Sequence, residues 1–120
     1  MAAPNIVNVA TITGKTAVLA LSATTQTSLL SNAAASNKVL KVNSLTVSNV
    51  NATTSADITV VLKRSSTDYA LANTITVPAK SSLVVISKQN AIYLEEGDAL
   101  HCTASVANYF QVVCSYEDIS

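Results

Sequence analysis

Tryptophan is absent, phenylalanine occurs once, and aromatic residues make up only 4% of the 120-residue chain. The core therefore cannot be organised around large rings, and the 49% hydrophobic content is carried mainly by Val, Ile, Leu and Ala. Charge is equally scarce. Asp, Glu, Lys and Arg supply 12% of residues, about half the roughly 25% of an ordinary globular domain. Seven basic and seven acidic side chains cancel to a formal net charge of +0. No basic stripe is present to neutralise phosphates or anionic lipid, so nucleic acid and membranes are not expected partners. A surface so poor in ionised groups is expected to be covered in part by neighbouring subunits, because exposed apolar patches drive association.

The residues that usually carry chemistry are also few. There is one histidine, His101, and two cysteines, Cys102 and Cys114. A catalytic centre needs a positioned base, a nucleophile and a group that steadies developing charge. No Gly-rich elbow frames a serine, and no catalytic residue, cofactor site or metal site is expected. The acidic cluster Glu95, Glu96 and Asp98 around Gly97 lacks the oxygen-ligand spacing of a calcium loop. It reads instead as a tight turn, with Gly97 free to take positive φ and Asp98 accepting backbone N–H bonds. His101 is expected on the outward, exposed face of its strand.

What the chain does contain is alternation with period two. Strands are expected from Ile6 to Thr13, Thr16 to Ser22, Thr25 to Leu30, Val39 to Val50, around Ile58 to Leu62, Thr74 to Val77, Ser82 to Lys88 and Ala91 to Leu94. The last two run from Leu100 to Val106 and from Phe110 to Glu117. Gly14-Lys15 is read as a turn, and Pro78 as a strand stop, since proline cannot donate to a ladder. Within the long strand from Val39 the inward parity switches between Leu40/Val42 and Leu45/Val47. An extra residue near Asn43-Ser44, a β-bulge, would restore one apolar face. With only two glycines, most turns must be built from Asn, Asp and Ser.

About nine or ten short strands in 120 residues imply one domain, residues 1–120, with an antiparallel β-sandwich of jelly-roll or Ig-like type. Cys102 and Cys114 are symmetric about Asn108, so a terminal hairpin would oppose them on adjacent strands. Reduced thiols filling core space are the preferred reading over a strained cross-strand disulfide. No apolar run approaches the ~20 residues of a membrane-spanning helix. The opening Met1-Ala2-Ala3-Pro4-Asn5 lacks the pattern of a secretion signal, so the protein is expected to be soluble and used without export.

The stretch Ile92-Tyr93-Leu94-Glu95-Glu96-Gly97-Asp98-Ala99-Leu100 and the terminal Val113-Cys114-Ser115-Tyr116-Glu117-Asp118-Ile119-Ser120 resemble small virion structural proteins of tailed bacteriophages. The opening Met1 to Val7 is similar to the same group, especially as found in phages of marine cyanobacteria. The resemblance implies a head-decorating, neck or tail component, assembled in the host cytoplasm and residing in the virion. It also implies a homo-oligomer, commonly a trimer or higher ring, in contact with a major capsid or tail protein. It carries over no catalytic or binding residues.

Interface candidates are Ile6, Val7 and Val9 in the N-terminal arm, the aromatic residues Tyr93, Tyr109 and Tyr116, and Ile119 near the C-terminus. Chain ends that are strands can extend a neighbour's sheet. Capsid decoration is the leading expectation, with a neck, tail or baseplate component as the alternative. A receptor- or glycan-binding module at a tail tip would instead require Tyr93 or Tyr109 to cluster on one exposed face. A pilin-like fibre subunit fits the Ala, Ser, Thr, Asn and Val content but would need an export signal.

Overall fold

The computed structural model describes residues 11–120. Nine antiparallel strands follow in order: β1 Ile12–Ala20, β2 Thr27–Ser31, β3 Val39–Asn49, β4 Ala56–Arg64, β5 Thr67–Val77, β6 Ser82–Ile86, β7 Ile92–Leu94, β8 Ala99–Ala104 and β9 Phe110–Ile119. One short 3-10 turn, Lys88–Asn90, separates β6 from β7. The first sheet has the order β1-β9-β3-β6, with β7 also paired to β3, and the second has the order β2-β8-β4-β5. Successive strands alternate between sheets except at the β4–β5 hairpin and the β6–β7 step. Leaving β7 aside, this strand order is that of a jelly roll, in which two four-stranded sheets face each other. The sandwich with about nine strands is thus the observed fold. Among the described residues, no helix is long and apolar enough to cross a membrane.

The alternation written in the sequence becomes the core. Leu40, Val42, Leu45 and Val47 of β3 all face inward and are buried, and the β3–β9 register shifts between Val42 and Ser44. The bulge at Asn43-Ser44 is therefore real, and it keeps one strand's apolar set on one face. Ile58 and Val60 of β4 and Leu100 of β8 meet this set from the opposite sheet. The largest buried ring is Phe110. Each such side chain contributes roughly 1.5–3 kcal/mol by leaving water. With so few aromatics, the core closes around branched aliphatic side chains and the two thiols.

Two expectations about how the strands connect fail. Gly14-Lys15 does not turn: β1 runs straight through it, paired residue for residue with β9 from Ile12↔Ile119 to Ala20↔Gln111. A glycine flanked by β-compatible residues stays extended when a neighbouring strand supplies a full ladder. The terminal hairpin is absent as well, because β8 pairs with β2 and β4 while β9 pairs with β1 and β3. The connection crosses from one sheet to the other. Ser105 N–H still bonds Asp57 C=O on the first side, whereas Val50 N–H already bonds Tyr109 C=O on the second. Cys102 and Cys114 consequently face the core from opposite sheets.

The glycine shortage is met by strain at polar turns. Ser65 and Ser66 take φ of 53° and 63° in the two-residue β4–β5 loop, and Asn37 and Asn108 are also left-handed. Hairpin turns with positive φ at both central residues match the strand twist, even without glycine. Ala35 and Lys80 join them with φ of 58° each, which neither side chain favours. Tyr69 to Ala72 and Thr74 to Val77 form one strand, β5, because irregular pairing opposite Val60 absorbs the break between them.

Candidate interaction surface

The outer face of the first sheet is built row by row from its registers. One row crosses all four strands: Val18 of β1, Val113 of β9, Thr46 of β3 and Val84 of β6. Val18 is 73% exposed, Val84 60% and Val113 45%. The row beside it runs Ala20, Gln111, Ser48 and Ser82, and on the other side lie Thr16, Ser115 and Ser44. None of these side chains ionises. Three exposed valines share this row, Val18 beside Val113 and Val84 beyond Thr46, between rows that carry no charge, the composition of a surface suited to meeting protein.

Charge begins one row further on. Gly14, Glu117, Lys41 and Tyr93 align there across β1, β9, β3 and β7, and Lys41 Nζ lies 4.0 Å from Glu117 Oε2. Beyond them Ile119 sits between Ile12 and Val39 in the ladder and is only 4% exposed. Of the residues singled out from the sequence, Tyr93 thus stands on this face and is 40% exposed. Tyr109 and Tyr116 are half-buried and pack against the core, and Ile119 is buried within the chain. Ile119 is therefore enclosed, whereas Tyr109 and Tyr116 keep part of their surface exposed. Ile6, Val7 and Val9 lie outside the described residues.

The other clusters are internal supports. Asp98, 2% exposed, accepts from Arg64 Nε at 2.8 Å, from Arg64 Nη2, and from the Glu95 N–H at 2.9 Å. Burial would raise its pKa, but the bonds from Arg64 and Glu95 and the guanidinium charge outweigh that and hold it below the usual carboxylate range. The Gly97 turn, with φ of 89°, is also stitched to Asn32 through two backbone hydrogen bonds of 2.8 Å. The acidic cluster is a turn in which Asp98 accepts a backbone N–H, as its sequence suggested, but Asp98 is buried and tied to Arg64. Asp118 is held similarly by Lys15 at 3.0 Å and Lys38 at 3.3 Å.

His101 lies on the outer face of the second sheet beside Val61 and Ser28. It is half-buried, not exposed as expected, because β2 and β4 flank it. Burial, with a smaller push from Lys63, lowers its pKa against the pull of Asp68. Cys102 and Cys114 are free and buried. Burial pushes the Cys102 thiol up to about 12, with help from Cys114, and the Cys114 thiol up to about 11. Neither is a nucleophile at neutral pH.

The exposed valine row is not legible in the sequence, for an identifiable reason. Ala17-Val18-Leu19, Val84-Val85 and Val112-Val113 are apolar on both parities, so alternation alone does not say which member faces out. Only the pairing of four distant strands aligns Val18, Val113 and Val84. Comparison with family models, with characterised proteins and with solved structures returns no match.

Proposed function

We propose that this chain is a non-enzymatic structural subunit of a tailed-phage particle, associating with itself and packing on the particle surface, decoration of the head being the first choice. The observation that carries the reading is the uncharged part of the first sheet's outer face, three rows deep, with Val18, Val84 and Val113 exposed in one of them. A subunit with that face gains by burying it against protein, and repetition on a symmetric shell multiplies a modest contact. The jelly-roll order is a support by analogy, since that architecture recurs in capsid and lectin domains. The resemblance of the Ile92 to Leu100 stretch and of the C-terminus to virion proteins is a further support.

Glycan binding at a tail tip is less well supported. Tyr93 pairs with Lys41 at one end of β3, and Tyr109 bonds Val50 just past the other. About nine residues of strand separate them, roughly 30 Å, so the two rings do not make one stacking platform. The test is to add purified subunit to particles that lack it and to measure saturable binding to heads and to tails separately. Val18→Lys with Val84→Lys is expected to weaken binding at least tenfold without unfolding the chain. Binding to neither structure, or undiminished binding of the double variant, would remove the proposal.

A further inference from the structure

The four sheet edges are not alike. Edge strand β5 is disturbed twice, with register shifts on either side of Val60 and a left-handed Thr74. Edge strand β2 has five residues and a shift between Ser28 and Leu30. The far edge of the first sheet is divided between β6, five residues with a shift at Leu45/Thr46, and β7, three residues. Short strands and bulges are how natural sheets prevent edge-to-edge pairing. β1 has neither. It is nine residues long, pairs with β9 without a shift, and among the described residues no strand pairs with its other side.

The direction of its backbone groups follows from two observations. Thr11 and Ser120 exchange both N–H···O bonds, at 3.0 and 2.9 Å, and Leu21 N–H bonds Phe110 C=O at 3.0 Å. In an antiparallel ladder hydrogen-bonded pairs alternate, so odd residues from Thr11 to Leu21 point their N–H and C=O toward β9. Ile12, Gly14, Thr16, Val18 and Ala20 point theirs to the open edge. The four of these that have a side chain, Ile12, Thr16, Val18 and Ala20, carry it on the outer face of the sheet, and none of the four ionises.

We infer that β1 pairs antiparallel with β1 of a second copy about a twofold axis through Thr16, joining two first sheets into one continuous sheet. The register that uses the whole strand sets Thr16 against Thr16, Gly14 against Val18 and Ile12 against Ala20. All five outward residues then form hydrogen-bonded pairs, up to about ten new backbone bonds. Side chains agree with this register. Val18, the most exposed of the large apolar residues at 73%, meets Gly14, where a Cβ would touch nothing within 4 Å. Threonines opposed across strands are a favourable pair.

Charge selects the same register. Lys15, the strand's one ionised side chain, falls opposite Ala17 and is already drawn to Asp118 at 3.0 Å. Sliding the pairing by two residues one way opposes Lys15 to Lys15; sliding it the other way leaves Ile12 unpaired. The partner is a second copy because the strand is complementary to its own reverse. The inference rests on the reading that the subunit self-associates, and it names a twofold contact where the family resemblance favours threefold rings.

The test uses the full chain. Thr16→Cys puts two thiols at the axis, where Cα atoms of a hydrogen-bonded pair stand about 5.5 Å apart, inside the disulfide range. Ala20→Cys puts them about 27 Å apart. With oxidised glutathione, Thr16→Cys is expected to give a covalent dimer and Ala20→Cys none. Thr16→Pro removes a donor that faces away from β9, so the fold is retained while dimer dissociation shifts at least tenfold to higher concentration in sedimentation. Equal crosslinking by both cysteine variants, or a Thr16→Pro chain that is folded and still dimeric, would overturn the pairing. A parent that is trimeric with no Thr16→Cys crosslink overturns it too but leaves self-association standing, whereas a monomeric parent at micromolar concentration sinks both.

Discussion

Replacing Arg64 by alanine tests whether the turn at Gly97 is held by a buried, paired carboxylate. Asp98 would keep the Glu95 N–H at 2.9 Å and lose both guanidinium donors. Deleting one partner of a fully buried pair costs roughly 3–5 kcal/mol. Arg64 keeps 44% side-chain exposure, so that figure does not apply to it; the cost falls on Asp98, a buried carboxylate left without two of its three donors, at about 2–3 kcal/mol. For a domain of this size that lowers Tm by about 8–12 °C. Urea unfolding followed by circular dichroism at pH 7 measures it directly.

The pH dependence supplies a second axis. Because the folded pKa of Asp98 is depressed, the native state binds fewer protons than the unfolded chain near that pKa. The stabilisation is complete above the unfolded value, about pH 4, and is lost as pH falls through the folded value. In Arg64→Ala burial acts with less opposition, so Asp98 titrates higher than in the parent. The gap between the two proteins is therefore widest near neutrality and narrows below about pH 4. A loss smaller than about 0.5 kcal/mol at pH 7, or an undiminished gap in acid, would refute the paired-carboxylate reasoning.

Three further outcomes are expected. Asn49 is buried, donates through Nδ2 to the Thr54 and Val77 carbonyls at 3.1 and 3.0 Å, and accepts the Asn51 N–H at 3.0 Å. Asn49→Ala leaves those groups without this partner and should cost about 2–4 kcal/mol, so a urea midpoint equal to the parent's would contradict it. Gly97→Ala meets no steric neighbour but forces a side chain to φ 89°, which calorimetry should register as about 1–2 kcal/mol. Native Cys102 and Cys114 should react with a maleimide only as fast as the chain unfolds, and Tm should be the same with and without reductant. Rapid labelling of folded protein, or a redox-dependent Tm, would show that the thiols are accessible or joined.

Much of the architecture was written locally. The switch of inward parity between Val42 and Leu45 announced the bulge, because only an extra residue reconciles two apolar phases with one core. Gly97 beside Asp98, and Pro78 after Val77, marked a turn and a strand end through backbone preferences that need no tertiary context. The expected Gly14-Lys15 turn and terminal hairpin fail for the same reason. Glycine permits a turn without requiring one, and spacing about Asn108 cannot distinguish adjacent strands from strands in facing sheets, since both bury Cys102 and Cys114. The tyrosines illustrate the limit for surfaces: Tyr109 and Tyr116 are half-buried by contacts from elsewhere in the chain, and only Tyr93 stands on the outer face.

The sequence by itself determined that the chain is a β-sandwich with a slim aliphatic core, two buried thiols and few charges, because period-two alternation and side-chain chemistry are local properties. The tertiary structure alone decided which strands are neighbours. Pairing across β1, β9, β3 and β6 gathers Val18, Val113 and Val84 into one row and leaves β1 as the long undisturbed edge. Ladder register is set by closing a core between distant segments, so no window of sequence contains that surface.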